Sequence, residues 1–187
     1  MTFNWLDLVC SLLGLTCVFL AGRGSKYNFW VGYLYTAALF FLFLQKDLMA
    51  SLLLQPVSLG INILGHYRWT HPKEGEMSSE KTGELKVTML SWFERVLAVA
   101  VVLVVAALWG GLLQRLYPAD PHPYLDSCVT MLILVAQYLS AQKKWDCWVA
   151  WILVNITQLV LHLSVGNLFM PIVSALYLVN GIVSLVN

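Results

Sequence analysis

The chain has 187 residues, 59% of them hydrophobic and 11% charged, with a mean hydropathy of +0.74. A soluble domain of this length has too little interior to hide so much apolar surface, so lipid must cover part of it. The net charge of +1 says nothing about nucleic acid, but no basic run interleaved with aromatics appears, so no nucleic-acid partner is expected.

Taken in order, the apolar runs cover residues 5–22, 27–44, 48–69, 92–113, 124–141, 145–163 and 167–186. Each is near the ~20 residues a helix needs to cross ~30 Å of hydrocarbon. The strict alternation of a membrane β-strand is absent, which predicts seven helices that satisfy their own backbone polar groups. The first run starts at Trp5 with no basic segment before it and no A-x-A site after it, so no cleavable signal peptide is expected. Trp5, Trp30, Trp69, Trp92, Trp145 and Trp148 fall near predicted ends, where aromatic belts form. Cys10, Cys17, Cys128 and Cys147 lie in or at the edge of spans without CxxC spacing and read as small core residues.

Between the third and fourth spans runs the one substantial hydrophilic loop, about residues 70–88, with three Lys against four Glu. It reads as a flexible connector, with a short coupling helix expected from Gly83 onward. The fourth span, rich in Val and Ala, has no mid-span polar residue and reads as a linker. After it, Tyr117-Pro118-Ala119-Asp120-Pro121-His122-Pro123 is a stiff, turn-rich terminator.

The last three spans echo the first three at an offset of 119 residues, with Asp7 falling on Asp126. Ala21-Gly22-Arg23 then falls on Ser140-Ala141-Gln142, and Leu34 on Leu153; with one residue of slip, Asp47-Leu48 falls on Asn167-Leu168. The expected plan is an all-α integral membrane protein of 3+1+3 parallel repeats, a SWEET-like architecture. Its parts are a first repeat (1–70), a cytoplasmic loop (71–90), a linker helix (91–114) and a second repeat (115–187). Two related halves point to a carrier, because such halves can open a site to either side of the membrane.

Orientation follows from the loops. One side holds Lys46 and Arg115; the other holds Arg23, Lys26, Arg68, Lys73, Lys81, Lys86, Arg95, Lys143 and Lys144. That asymmetry predicts an external N-terminus and a cytoplasmic C-terminus.

The sixth span carries Trp148, Trp151, Asn155, Gln158 and His162 at steps of three and four, all on one helix face. Amides facing lipid are expensive, so the stripe either packs between helices as polar glue or meets a ligand. Aromatics followed by amides suit a flat, uncharged, hydrogen-bonding molecule. A companion stripe in the third span comprises Gln55, Ser58, Asn62 and Trp69, with Pro56 loosening the helix beside Gln55. Gln137 is isolated among apolar residues of the fifth span, and Ser174, Tyr177, Asn180 and Ser184 share a face with Gly181 in the seventh. The candidate substrate-binding residues are therefore Gln55, Asn62, Gln137, Trp148, Trp151, Asn155, Tyr177 and Asn180.

Gln55 with Asn62 and Gly65-His66-Tyr67-Arg68-Trp69 resembles the third-helix pattern of the PnuC family of vitamin transporters. Gln137-Tyr138-Leu139, Lys143-Lys144 and the run from Trp148 through Trp151 to Asn155 resemble that family's Q-[WY]-L, K-K and W-x-x-W-x-x-x-N signature. The likeness spans essentially the whole chain. It implies that Trp148, Trp151 and Asn155 contact the nicotinamide or ribose of nicotinamide riboside, with Gln55, Asn62 and Gln137 completing the hydrogen bonds. One departure stands out: the family pattern has Gly-Trp-Tyr where this chain has Gly65-His66-Tyr67. The chain also stops at Asn187, one short of the position equivalent to Trp69, which reads as a trimmed C-terminus.

No nucleotide-hydrolysing loop, zinc spacing or paired carboxylates are present, so neither direct ATP use, a cofactor nor an intramembrane enzyme is expected. Asp7, Asp47, Asp126 and Asp146 all fall near span ends, leaving His66 and His162 as the only candidates for proton coupling. The expectation is a facilitative carrier of a vitamin nucleoside in a bacterial cytoplasmic (inner) membrane, with uptake trapped by a cytosolic kinase. Self-association as a homo-oligomer, a trimer among the candidates, is also expected. The alternatives are a carrier of thiamine or riboflavin, a SWEET-like sugar uniporter, and a non-transporting assembly subunit.

Overall fold

A computed structural model describes residues 5–45, 49–77, 84–118, 122–164 and 169–186. Of the positions singled out above, Lys46-Asp47-Leu48, Lys81, Gly83, Ala119-Asp120-Pro121, Asn167-Leu168 and Asn187, and the side chains of Asp7, His162 and Ser184, lie outside the described residues. The described chain forms seven helices: α1 (Trp5–Gly22), α2 (Tyr27–Gln45), α3 (Met49–Thr70), α4 (Trp92–Leu116), α5 (Pro123–Ala141), α6 (Cys147–Ser164) and α7 (Phe169–Val186). Every apolar run thus becomes a helix, because long apolar runs favour internal hydrogen bonding throughout, even across Pro56 of α3 and Gly110-Gly111 of α4.

Two compact units divide the chain, Met1–Val87 with Ala141–Lys143, and Thr88–Ser140 with Lys144–Asn187. In the first, α1 packs on α2 and α2 on α3. Gly65 makes a close approach possible there: a Cβ on it would lie 2.7 Å from Phe29 Cε1 and 3.0 Å from Ala141 Cβ. In the second, α6 packs on α7, and Ala136, Leu139, Cys147, Ala150 and Val154 of α5 and α6 form a buried core. None of the four cysteines forms a disulfide, and Cys17 Sγ–H donates to Asn28 O at 3.3 Å.

Helix α4 starts at a complete capping box. Ser91 Oγ accepts from Glu94 N at 3.3 Å, and Glu94 Oε2 accepts from Ser91 N at 2.7 Å. The helix buries only Val102, Ala106, Gly110 and Leu113, and Gly110 is needed because a Cβ would meet Tyr124 at 2.6 Å. Elsewhere it exposes apolar side chains, Leu103 at 61% and Leu108 at 71% among them, with no polar face between. A soluble protein would not leave such a surface in water. Helices α4 and α5 are each long and apolar enough to cross a membrane, and Leu8–Gly22, Cys147–Val160 and Ile172–Val183 are shorter apolar stretches of the described residues.

The segment before α4 corrects the expected coupling helix. Residues 84–91 run extended, with isolated bridges pairing Met77 with Leu85 and Thr88 with Lys144. Trp145 N–H donates to Thr88 O at 2.9 Å, and Leu90 N–H donates to the Asp146 carboxylate at 2.7 Å. These donors and acceptors are spent across the α5–α6 turn, so the segment cannot close helical turns of its own. The same bonds hold Trp145 and Asp146 outside α6, which begins at Cys147 instead of Trp145.

The α1–α2 and α5–α6 turns share three backbone hydrogen bonds, each shifted by 119 residues. Ser25 N donates to Leu20 O at 3.0 Å and Lys144 N to Leu139 O at 2.9 Å, the long bond of a Schellman cap. Asn28 N to Ser25 O matches Cys147 N to Lys144 O, and Phe29 N to Lys26 O matches Trp148 N to Trp145 O. The left-handed residue of each cap sits at the same place, Gly24 at φ 66° and Lys143 at φ 51°.

Candidate substrate-binding site

Within the second unit, one face of α6 carries the aromatic and amide side chains. Asn155 is 4% exposed, while Trp148, Trp151 and Gln158 are half-buried; Val154, beside Asn155, is the helix's most buried core residue. Trp148 and Trp151 pack against the α5–α6 core. Trp151 Nε1–H donates to Ser140 Oγ at 3.0 Å, and the Ser140 hydroxyl donates onward to Ala136 O at 2.8 Å. The indole edge is therefore fixed by α5, and what Trp151 offers a ligand is its ring face.

Gln137 lies one turn before Ser140 on α5. Its Oε1 is buried without a hydrogen-bond partner among the described residues. A buried amide oxygen in that condition costs about 1–3 kcal/mol, which a ligand donor would offset. On α7, Tyr177 and Asn180 are half-buried and Ser174 is 4% exposed. Gly181 of α7 faces Ile152 of α6, where a Cβ would make an ordinary contact at 3.5 Å from Cγ1. Gln137, Trp148, Trp151, Asn155, Tyr177 and Asn180 thus all belong to this unit.

Gln55 and Asn62 belong to the first unit. Gln55 is buried and Asn62 half-buried. Asn62 Nδ2 donates to Phe29 O at a long 3.4 Å and lies over Gly32, where a Cβ would approach it to 2.5 Å. At the end of α3, His66 sits in an aromatic cluster from α2. It stacks on Phe29 at 5.5 Å, meets Trp30 edge-on at 5.5 Å, and pairs Nδ1 with Tyr33 Oη at 2.8 Å. Trp69 meets Phe29 edge-on at 5.1 Å, with Lys143 Nζ 4.9 Å above its ring.

Sequence reasoning missed Ser140, the Phe29–Trp30–Tyr33 cluster around His66, and the engagement of Asp146. Ser140 had a signal, since it follows Gln137 by three on one face of α5. The other two depend on neighbours distant in the chain and had none.

Apolar helices with lipid-type surfaces that carry amides and indoles on one face are those of a helical membrane protein. The chain matches the family model described as nicotinamide mononucleotide transporter over residues 4–187, and it belongs to that family. It is 28% identical to the nicotinamide riboside transporter PnuC of Escherichia coli strain K12, the match covering 87% of this chain and 76% of that protein. It is 30% identical to the riboflavin/roseoflavin transporter RibM of Streptomyces davaonensis, over 92% and 79% of the two chains. With PnuC of Neisseria mucosa it shares 27% identity over 98% and 72%. Its fold is that of a crystal structure of the vitamin B3 transporter PnuC, with a TM-score of 0.76 at 23% identity over 97% of this chain and 79% of the other.

Proposed function

We propose that this chain is a facilitative carrier of nicotinamide riboside. The observation that carries the reading is the α6 face, where a half-buried indole with its N–H already bonded stands one turn from a buried Asn155 amide. An indole face stacks on a heteroaromatic ring, and amides bond the edges of a nucleoside. Asn155 and Gln137 offer such bonds in the second unit; Gln55 and Asn62 are the candidates of the first, and Tyr177 and Asn180 complete the proposed set. The names of the PnuC relatives support this substrate.

The same reading takes the chain as 3+1+3 parallel repeats in a bacterial inner membrane, with the N-terminus outside and the loop 71–90 and C-terminus in the cytoplasm. The three hydrogen bonds shared by the α1–α2 and α5–α6 turns support the repeat. No carboxylate or lysine lies in the middle of a described helix, which supports transport down the substrate gradient alone, with a cytosolic kinase trapping the product. A homo-oligomer, such as a trimer, completes the proposal.

Riboflavin is the second reading. It rests on the RibM relative and on His66, which stands where the PnuC pattern has Trp. Uptake of labelled nicotinamide riboside, riboflavin and thiamine into proteoliposomes tests both. The expected result is equilibration of nicotinamide riboside without concentration, unchanged by a proton or sodium gradient. Accumulation abolished by an uncoupler, in liposomes without a kinase, would refute facilitated diffusion; selective riboflavin uptake would reassign the substrate.

A further inference from the structure

We infer that Asp146 is a positioning residue that sets the orientation of the α6 stripe through the segment leading into α4. The inference rests on the proposal that Trp148, Trp151 and Asn155 face substrate. Asp146 immediately precedes α6 and is only 8% exposed. A buried carboxylate is costly unless both oxygens are engaged. Here Oδ2 accepts from Leu90 N–H at 2.7 Å, and Oδ1 forms a close ion pair, 2.8 Å from Arg95 Nε.

An aspartate just before a helix ordinarily caps that helix, accepting from the N–H groups of its first turn. Among the described residues, both Asp146 oxygens instead reach the α4 side. Leu90 adjoins the capping serine of α4, and Arg95 follows the capping glutamate, so the carboxylate joins the starts of α4 and α6. The backbone bond from Trp145 N to Thr88 O, at 2.9 Å, adds a second attachment one residue away.

The orientation passes directly into the stripe. Ala150 N donates to Asp146 O and Trp148 N to Trp145 O, both at 3.1 Å, so the first turn of α6 is built on the two anchored residues. A helix is stiff over this span, and Trp148, Trp151 and Asn155 follow Asp146 by two, five and nine positions. A small rotation at Asp146 therefore moves the indole faces together, and sites loosened by about 1 Å lose much of their function.

The test uses purified full-length protein with three readouts: equilibrium binding of nicotinamide riboside, thermal stability, and the Trp151 indole N–H resonance, which reports the bond to Ser140. Asp146→Ala is expected to weaken binding by roughly tenfold or more and to shift the indole signal, a loss of about 1.4 kcal/mol. Asp146→Asn, which keeps an acceptor for Leu90 N–H, is expected to recover part of both. A folded Asp146→Ala protein with an unmoved indole signal overturns the inference. A moved signal with unchanged affinity upholds the positioning role and overturns the substrate reading of the stripe. If Asp146→Ala does not fold, Arg95→Gln and Arg95→Lys decide: the signal should move in the first and stay in the second, and no movement in either overturns the inference.

Discussion

The Trp151 indole N–H donates to Ser140 Oγ at 3.0 Å, which ties α6 to α5 through a hydroxyl that is itself bonded to Ala136 O. Ser140→Ala and Trp151→Phe both break that one bond. Each is expected to cost about 1 kcal/mol of stability, and the double variant about the same as either alone. Chemical or thermal unfolding of the four proteins in one detergent checks this, and additive losses would count against the bond.

Asn155→Ala removes a 4% exposed amide from the middle of α6. If the amide bonds substrate, affinity should fall by the 1–3 kcal/mol typical of a lost buried hydrogen bond, roughly 5- to 150-fold. Calorimetric titration on a monodisperse variant measures it. Wild-type affinity would remove Asn155 from the site.

Gly32→Ala places a Cβ 2.5 Å from Asn62 Nδ2. Overpacking of this kind costs about 1–3 kcal/mol, and shortening the amide should relieve it. Gly32→Ala is expected to lower the melting temperature and Gly32→Ala/Asn62→Ala to restore most of it. Equal melting temperatures for both variants would show that the α2–α3 packing yields without strain.

Lys143 holds a left-handed φ of 51° where the α1–α2 turn uses Gly24, and its Nζ lies 4.9 Å above the Trp69 ring. A non-glycine residue there costs about 1–2 kcal/mol, against about 0.5–1 kcal/mol for an exposed cation–π contact. Lys143→Gly should therefore be at least as stable as the parent, and Lys143→Ala, strained and without its charge, should be the least stable of the three. A melting series that ranks Ala above Gly contradicts the strain argument.

Topology has its own test. The nine Lys and Arg on one set of loops and two on the other predict that a cysteine placed at Ser79 labels only after permeabilisation of cells. Labelling by an impermeant reagent in intact cells would reverse the assignment.

Much of this architecture was legible in the chain because membrane helices announce themselves by length and apolarity. All seven runs became helices with ends displaced by no more than three residues. The α6 stripe was legible for the same reason: a 3.6-residue period places Trp148, Trp151 and Asn155 on one face before any neighbour is known. The extended run before α4 was not, because Thr88 and Leu90 are held by Trp145 and Asp146, more than fifty positions away. Nor was the His66 cluster, which needs Phe29, Trp30 and Tyr33 from a separate helix, nor the fixed indole edge of Trp151. Local pattern gives a residue its face, whereas partners across the chain decide which of its atoms are already spent.

At 25 residues, α4 is about 37 Å long, while α5, α6 and α7 at 18 or 19 residues reach about 27–28 Å. A hydrocarbon layer of ~30 Å fits the shorter helices and is overrun by the longer one, which must tilt or carry its ends into the headgroups. Its first and last residues are suited to that interface: Trp92 is 77% and Phe93 74% exposed, and Tyr117 follows the far end. Because the start of α4 is also where Arg95 and Leu90 grip Asp146, a change in bilayer thickness acts on the same few residues that anchor α6. The lipid acyl length used for reconstitution is therefore a variable to control, and rates in short-chain and long-chain bilayers are expected to differ.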